Sequence, residues 1–217
     1  MWELARRRDE LGLGALRRLS GLPNLSEENI EELIRLLRAH PEVVRNDEML
    51  ALQLELKLPN ANQELILTRA MQYFNTDSPT EVLELGRWFN QMRQPAHTLE
   101  IISEDEAMRR EDLLLVRLDA LAQLGRWDEI GVVLENPRAP IQKDLVRQFF
   151  LSRVQLETGQ VANARLSWQR AVLAAGDDPE GLWYLVRKAD LLGLREEAIV
   201  ALNKLTQIHS ERRQAYD

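Results

Sequence analysis

Cysteine is absent from the 217 residues, which removes disulfides, thiolate metal sites and a cysteine nucleophile at once. Histidine is scarce. His40, His97 and His209 lie far apart, and none sits in a metal-ligand spacing such as HExxH. A phosphate-cradling glycine loop is missing too, since Gly12 and Gly14 form a lone GxG inside a helical pattern. No apolar run approaches the ~18 residues that a membrane span needs. Positive charge is in deficit: the formal net charge is −7, so the chain offers no global basic face for nucleic acid and is repelled by anionic membranes. Aromatic residues are only 6% of the chain, while hydrophobic residues reach 45% and charged residues 29%. That balance belongs to a folded protein, too apolar for disorder.

The start, Met1-Trp2-Glu3-Leu4-Ala5-Arg6-Arg7-Arg8, has no apolar stretch behind its basic residues and is not a secretory signal. It reads like the middle of a helix, with Leu11, Ala15, Leu16 and Leu19 recurring on one side. The expectation is a segment excised from a longer protein, with Met1 supplied for expression. Arg6, Arg7, Arg8, Arg17 and Arg18 are balanced by Glu3, Asp9 and Glu10 nearby, the pattern of a solvated helix face. Lack of cysteine suits cytosol and periplasm equally. The cytoplasm is the expected compartment, with the periplasm or a soluble part of a membrane-anchored protein as alternatives.

The residues that are abundant favour helix: Ala, Leu, Glu, Gln and Arg dominate. A period also emerges. Gly125, Gly159 and Gly193 fall at equal intervals of thirty-four, and the columns around them agree. Ile130, Ala164 and Ala198 share one column; Leu134, Trp168 and Leu202 share another; Ala171 and Leu205 a third, where Pro137 breaks the pattern. Each glycine can take the left-handed conformation without steric cost and so end one helix before the next begins. Ala164 and Ala198 let paired helices approach, and Trp168 or Leu202 fills the space one turn on. One such hairpin cannot bury its own apolar face, so hairpins must stack.

Leu124-Gly125-Arg126-Trp127-Asp128-Glu129-Ile130 and Leu192-Gly193-Leu194-Arg195-Glu196-Glu197-Ala198 resemble the turn motif of the tetratricopeptide repeat, and Ala164, Trp168 and Ala171 resemble its second helix. The resemblance covers residues 110–208 and is fainter upstream. It implies an all-α fold, a right-handed α-solenoid of about six stacked antiparallel helix hairpins. The expected organisation is a single continuous domain over 1–217, with divergent hairpins in 1–75 and clearer repeats in 78–208.

Upstream helices announce themselves by their caps. Ser78-Pro79-Thr80-Glu81 predicts a capping box with proline at the first helical position. Its unit has Arg93 where the others have glycine, and a turn at Gln94-Pro95. Ser26 predicts a cap for a helix lined by Ile30, Leu33, Ile34 and Leu37, which ends near His40 before Pro41. Residues 46–57 and 61–75 read as a helix pair broken at Pro59-Asn60, and Asp178-Pro179 begins a later helix. Glu104-Asp105-Glu106 reads as a solvated acidic loop between helices.

No pair among the 35 acidic residues is singled out for acid–base work, so the sequence predicts neither an enzyme nor a cofactor. In proteins of the family that this chain resembles, the first helices of successive repeats line a concave groove that takes a peptide or helix. Carried over by register, that role falls on Leu115 and Asp119, Phe149 and Arg153, and Trp183 and Arg187, with Leu83 and Arg87 from the preceding unit. Aromatic anchors would supply affinity, and arginines would orient a carboxylate on the partner. The clamp that grips chaperone C-termini uses lysine and asparagine, where this chain has Asp119, Arg153 and Arg187. Arginine outnumbers lysine 24 to 4, which is read as genome composition. The implied function is a protein–protein interaction scaffold holding a protein or peptide partner. The alternatives are a regulatory or substrate-positioning segment of a larger enzyme or membrane-anchored protein, and a self-associating array.

Overall fold

The structure is a computed structural model that describes the backbone of residues 1–214 and the side chains of residues 1–208. All regular structure among the described residues is helical. The chain divides into two compact units, Met1–Met92 and Arg93–Asp217, where the sequence suggests one continuous array.

The first unit holds α1 (Trp2–Ala5), α2 (Glu10–Ser20), α3 (Glu27–Ala39), α4 (Arg45–Glu55), α5 (Gln63–Gln72) and α6 (Pro79–Gln91). Its core joins Leu13, Leu16 and Leu19 of α2 to Ile30, Leu33 and Leu37 of α3 and Ala51 and Leu54 of α4. Gly12 is needed where the chain turns into α2, because a Cβ there would lie 2.1 Å from the Arg7 carbonyl oxygen. His40 is buried at the end of α3, where its Nδ1 accepts from the Glu42 N–H and its Nε2 faces the Asp9 carbonyl.

Asp47 ties this unit together. Its side chain is almost fully buried; it receives a two-pronged bond from Arg17 at 2.6 and 2.9 Å and the Val44 N–H at 3.0 Å. Arg17 therefore reaches across to α4 rather than pairing with the acidic residues near it in sequence. Beside it, Arg38 bonds Glu48 and Glu55, and Glu55 also takes Arg69. Ser26 caps α3 through the Asn29 N–H. Ser78, in contrast, makes no side-chain cap on α6. Glu81 turns away from it to the Asn75 N–H at 2.6 Å and to Arg45, two partners in place of one.

The second unit holds α7 (Pro95–Ile101), α8 (Glu104–Ala107), α9 (Glu111–Gln123), α10 (Trp127–Glu135), α11 (Asp144–Glu157), α12 (Val161–Ala175), α13 (Pro179–Leu191) and α14 (Arg195–Gln214). The acidic run Glu104-Asp105-Glu106 is the first turn of α8, not a loop. Ser103 caps the Glu106 N–H, and Glu106 returns the bond to the Ser103 N–H. A carboxylate at a helix start meets the positive end of the helix dipole, and that favours order over solvation.

The helices of this unit pair as α9/α10, α11/α12 and α13/α14 across one repeated turn. Gly125, Gly159 and Gly193 have φ of +68°, +79° and +69°. At each, the following residue's N–H bonds back five residues (Arg126 to Leu121, Gln160 to Gln155, Leu194 to Ala189), and the glycine N–H bonds the carbonyl three back. This paired bonding satisfies the last carbonyls of the first helix and starts the second one residue later. Arg93, with φ of +56°, holds the same left-handed conformation without being glycine.

Small residues close the pairs. Ala164 and Ala171 of α12 are buried, and Ser152 of α11 donates to the Ala164 carbonyl at 2.8 Å. Two arginines tie a first helix to the end of an earlier helix, α9 to α7 and α11 to α10. Arg117 of α9 donates to the Ile102 carbonyl at 2.6 Å, and Arg147 of α11 bonds the Leu134 carbonyl. Burial pushes the Arg117 guanidinium below its usual range. A cation on helix-end carbonyls opposes the negative dipole end.

Three substitutions test the turns and the buried carboxylate. A Cβ at Gly159 would meet nothing within 4 Å, so Gly159→Ala isolates the left-handed strain and should lower unfolding free energy by about 1 kcal/mol. Arg93→Gly should move the denaturant midpoint the other way. The bond from Arg17 holds the Asp47 carboxyl below the usual range. Its contribution is therefore present above about pH 4, the ordinary aspartate value, and is lost as pH falls through the lower folded value. In acid titrations, Asp47→Asn should be less stable near neutrality and show a shallower loss on acidification.

Candidate protein-docking face

Helix α13 begins where Asp178 accepts the Glu180 N–H at 3.0 Å and Pro179 occupies the first helical position. Gly181 keeps the entry tight, because a Cβ there would press on Leu145 and Asp178 at 3.1 Å. Leu182, Leu185, Val186 and Ala189 are buried at helical spacing. The opposite face is then fixed by the 3.6-residue turn: Glu180, Trp183, Arg187, Asp190 and Leu191 are all exposed.

The flank of α13 facing α11 is already occupied. Tyr184 meets the edge of Phe149 at 6.0 Å between ring centroids, and Phe149 also stacks edge-on with Phe150 and Trp168. Edge-to-face pairs add about 0.5–1.5 kcal/mol each beyond their buried area. One turn on, Lys188 bonds both oxygens of Asp119 at 3.0 Å, reaching α9. Burial, with Asp119's charge second, pushes the Tyr184 hydroxyl well above the usual phenol range.

The eight residues expected to line a groove therefore separate. Phe149 is 3% exposed and is a core residue, contrary to the expectation that it offers an anchor to solvent; Tyr184 covers it. Arg153 lies over the Trp127 ring at 5.2 Å and bonds Glu157 at 2.9 Å, so its guanidinium is spent within the unit. Asp119 is engaged by Lys188, and its neighbour Leu115 is half-buried. Arg87 is exposed on α6 of the first unit, while Leu83 is buried.

Trp183 and Arg187 remain. Trp183 is 46% exposed at the register where Phe149 is buried. Arg187 is exposed and makes no ion pair with a described carboxylate. Leu191, a turn further, is 81% exposed. Leu202 of α14 shows the same departure: it is exposed where Leu134 and Trp168 are buried. Tyr184 of the following hairpin covers Phe149, and no described helix covers Trp183 to the same extent.

Sequence reasoning missed Tyr184 and Lys188, which do the covering. A signal existed, since Tyr184 is the column neighbour of Trp183, but only contact geometry decides which of two adjacent aromatics turns inward. Among the described residues no group of three or more Asp, Glu and His side chains is placed to hold a metal ion, and no helix is long and apolar enough to cross a membrane. The side chain of His209 lies outside the described residues. The face presents a flat indole, a guanidinium and an aliphatic side chain to solvent. No family model matches the sequence, and comparisons with curated proteins and with solved structures find no match.

The two aromatic positions should respond oppositely to truncation. Phe149→Ala removes a packed ring and should destabilise by about 3–5 kcal/mol. Trp183→Ala should change unfolding free energy by no more than about 0.5 kcal/mol, in keeping with a surface site. Chemical denaturation of both variants checks the pair.

Proposed function

We propose that this chain is a protein-binding scaffold of tetratricopeptide-like hairpins, stacked in its second unit as a right-handed α-solenoid. Its partner docks as a helix or extended peptide along the exposed face of α13. The observation that supports this most directly is Trp183: an aromatic side chain left half in solvent at a register where the preceding hairpin buries its counterpart. Hairpins of this kind bury their apolar columns against a neighbour, so a surface helix can take the neighbour's place.

Trp183 is the anchor in this reading, and Arg187 sets orientation and partner choice by pairing with a carboxylate. The face on α13 replaces the groove residues Phe149 and Arg153, whose side chains are committed inside the unit. The reading assigns the chain no catalytic role and no cofactor. Its acidic balance, net −7, argues against nucleic acid as the partner, and the cytoplasm is the proposed compartment.

The test compares affinity capture from source-cell lysate by the native protein and by Trp183→Ala/Arg187→Glu. A protein held by the native chain and released by the folded variant supports the assignment. Capture of the same proteins by both, at equal yield, removes α13 as the docking face.

A further inference from the structure

We infer that the occupant of the α13 face is a second copy of the same face, packed antiparallel about a two-fold axis that passes beside Trp183. The inference rests on the reading of α13 as a docking surface and names what docks there.

The support is charge complementarity of the Glu180–Arg187 stretch with itself; Asp190, also exposed on this face, falls level with residue 177 of the other copy, before its α13 begins. Glu180 and Arg187 are exposed on the same side of α13 as Trp183, and neither side chain pairs with a described residue of opposite charge. They stand seven residues apart, two helical turns, so their side chains project in nearly the same direction. The midpoint between them falls at Trp183 and Tyr184. An antiparallel copy turned about that midpoint sets Glu180 against Arg187 of the other chain, and does so twice. Each charged residue lies about 5 Å along the axis from the centre. The centre itself is filled by the exposed indole and its twin. An interface of this isologous kind needs a patch that complements itself, with residue i meeting j and j meeting i.

Other occupants fit the stripe less well. An acidic helix would satisfy Arg187 and be repelled by Glu180, and a basic one would do the reverse. A partner that satisfies both must carry cation, apolar centre and anion in reversed order. Helix α13 run antiparallel is such a sequence.

Sedimentation velocity from micromolar to sub-millimolar protein tests this with three variants, each checked for native helicity. The native chain should shift from monomer to dimer as concentration rises. Trp183→Ala should weaken that dimer by about thirtyfold or more, as loss of a central aromatic anchor does. Glu180→Arg alone and Arg187→Glu alone each place like charges opposite one another and should weaken it by about tenfold or more. The decisive sample is an equimolar mixture of the two charge variants. Each fails to pair with itself, yet together they restore both opposite-charge contacts, so heterodimer should reappear near native affinity.

A native chain that stays monomeric throughout overturns the second copy as occupant, and the scaffold reading then depends on lysate capture alone. Charge variants that dimerise as well as the native chain overturn the face. A mixture that stays monomeric overturns the antiparallel register.

Discussion

A single left-handed residue governs the second unit. Between paired helices the chain must end one helix, satisfy its last carbonyls and launch the next within three residues. Only a positive φ at the middle one allows this with both backward hydrogen bonds made. Gly125, Gly159 and Gly193 supply it. Once the turn is set, the next positions face the first helix, and they must be small where the axes come close, as Ala164 and Ala171 are. The aromatic cluster of Phe149, Phe150, Trp168 and Tyr184 then packs where successive pairs meet.

Those local rules explain what could be read from sequence. The glycine interval located three turns, Ser26 marked the start of α3, Asp178-Pro179 the start of α13, and Pro59-Asn60 the break between α4 and α5. Each is a short-range effect in which a few neighbouring residues decide the backbone. Reading failed where a choice depended on distant partners. Ser78 and Glu81 spell a capping box, yet Glu81 finds the Asn75 N–H and Arg45. Arg17 looks like one of several surface cations and instead closes on Asp47, 30 residues away. The helix in Glu104–Ala107 was hidden because four residues carry too little periodicity to show.

The candidate site was half legible for the same reason. Register alone put Trp183 and Arg187 on one side of a helix, and both are exposed there. It treated Phe149 and Arg153 as their equivalents, and in sequence they are. The difference between them comes from what lies on top: Tyr184 closes over Phe149, while Trp127 and Glu157 take Arg153. A repeat makes positions equivalent in geometry and leaves them unequal in exposure, because the hairpins on either side differ.

The Lys188–Asp119 bridge has a consequence of its own. In a stack of hairpins each unit ordinarily feels only its immediate neighbours, so strain is passed along one step at a time. Here a salt bridge skips α11 and ties α13 directly to α9. A shift of α13 is therefore felt at α9 by two routes, through the packed side chains of α11 and through the bridge itself.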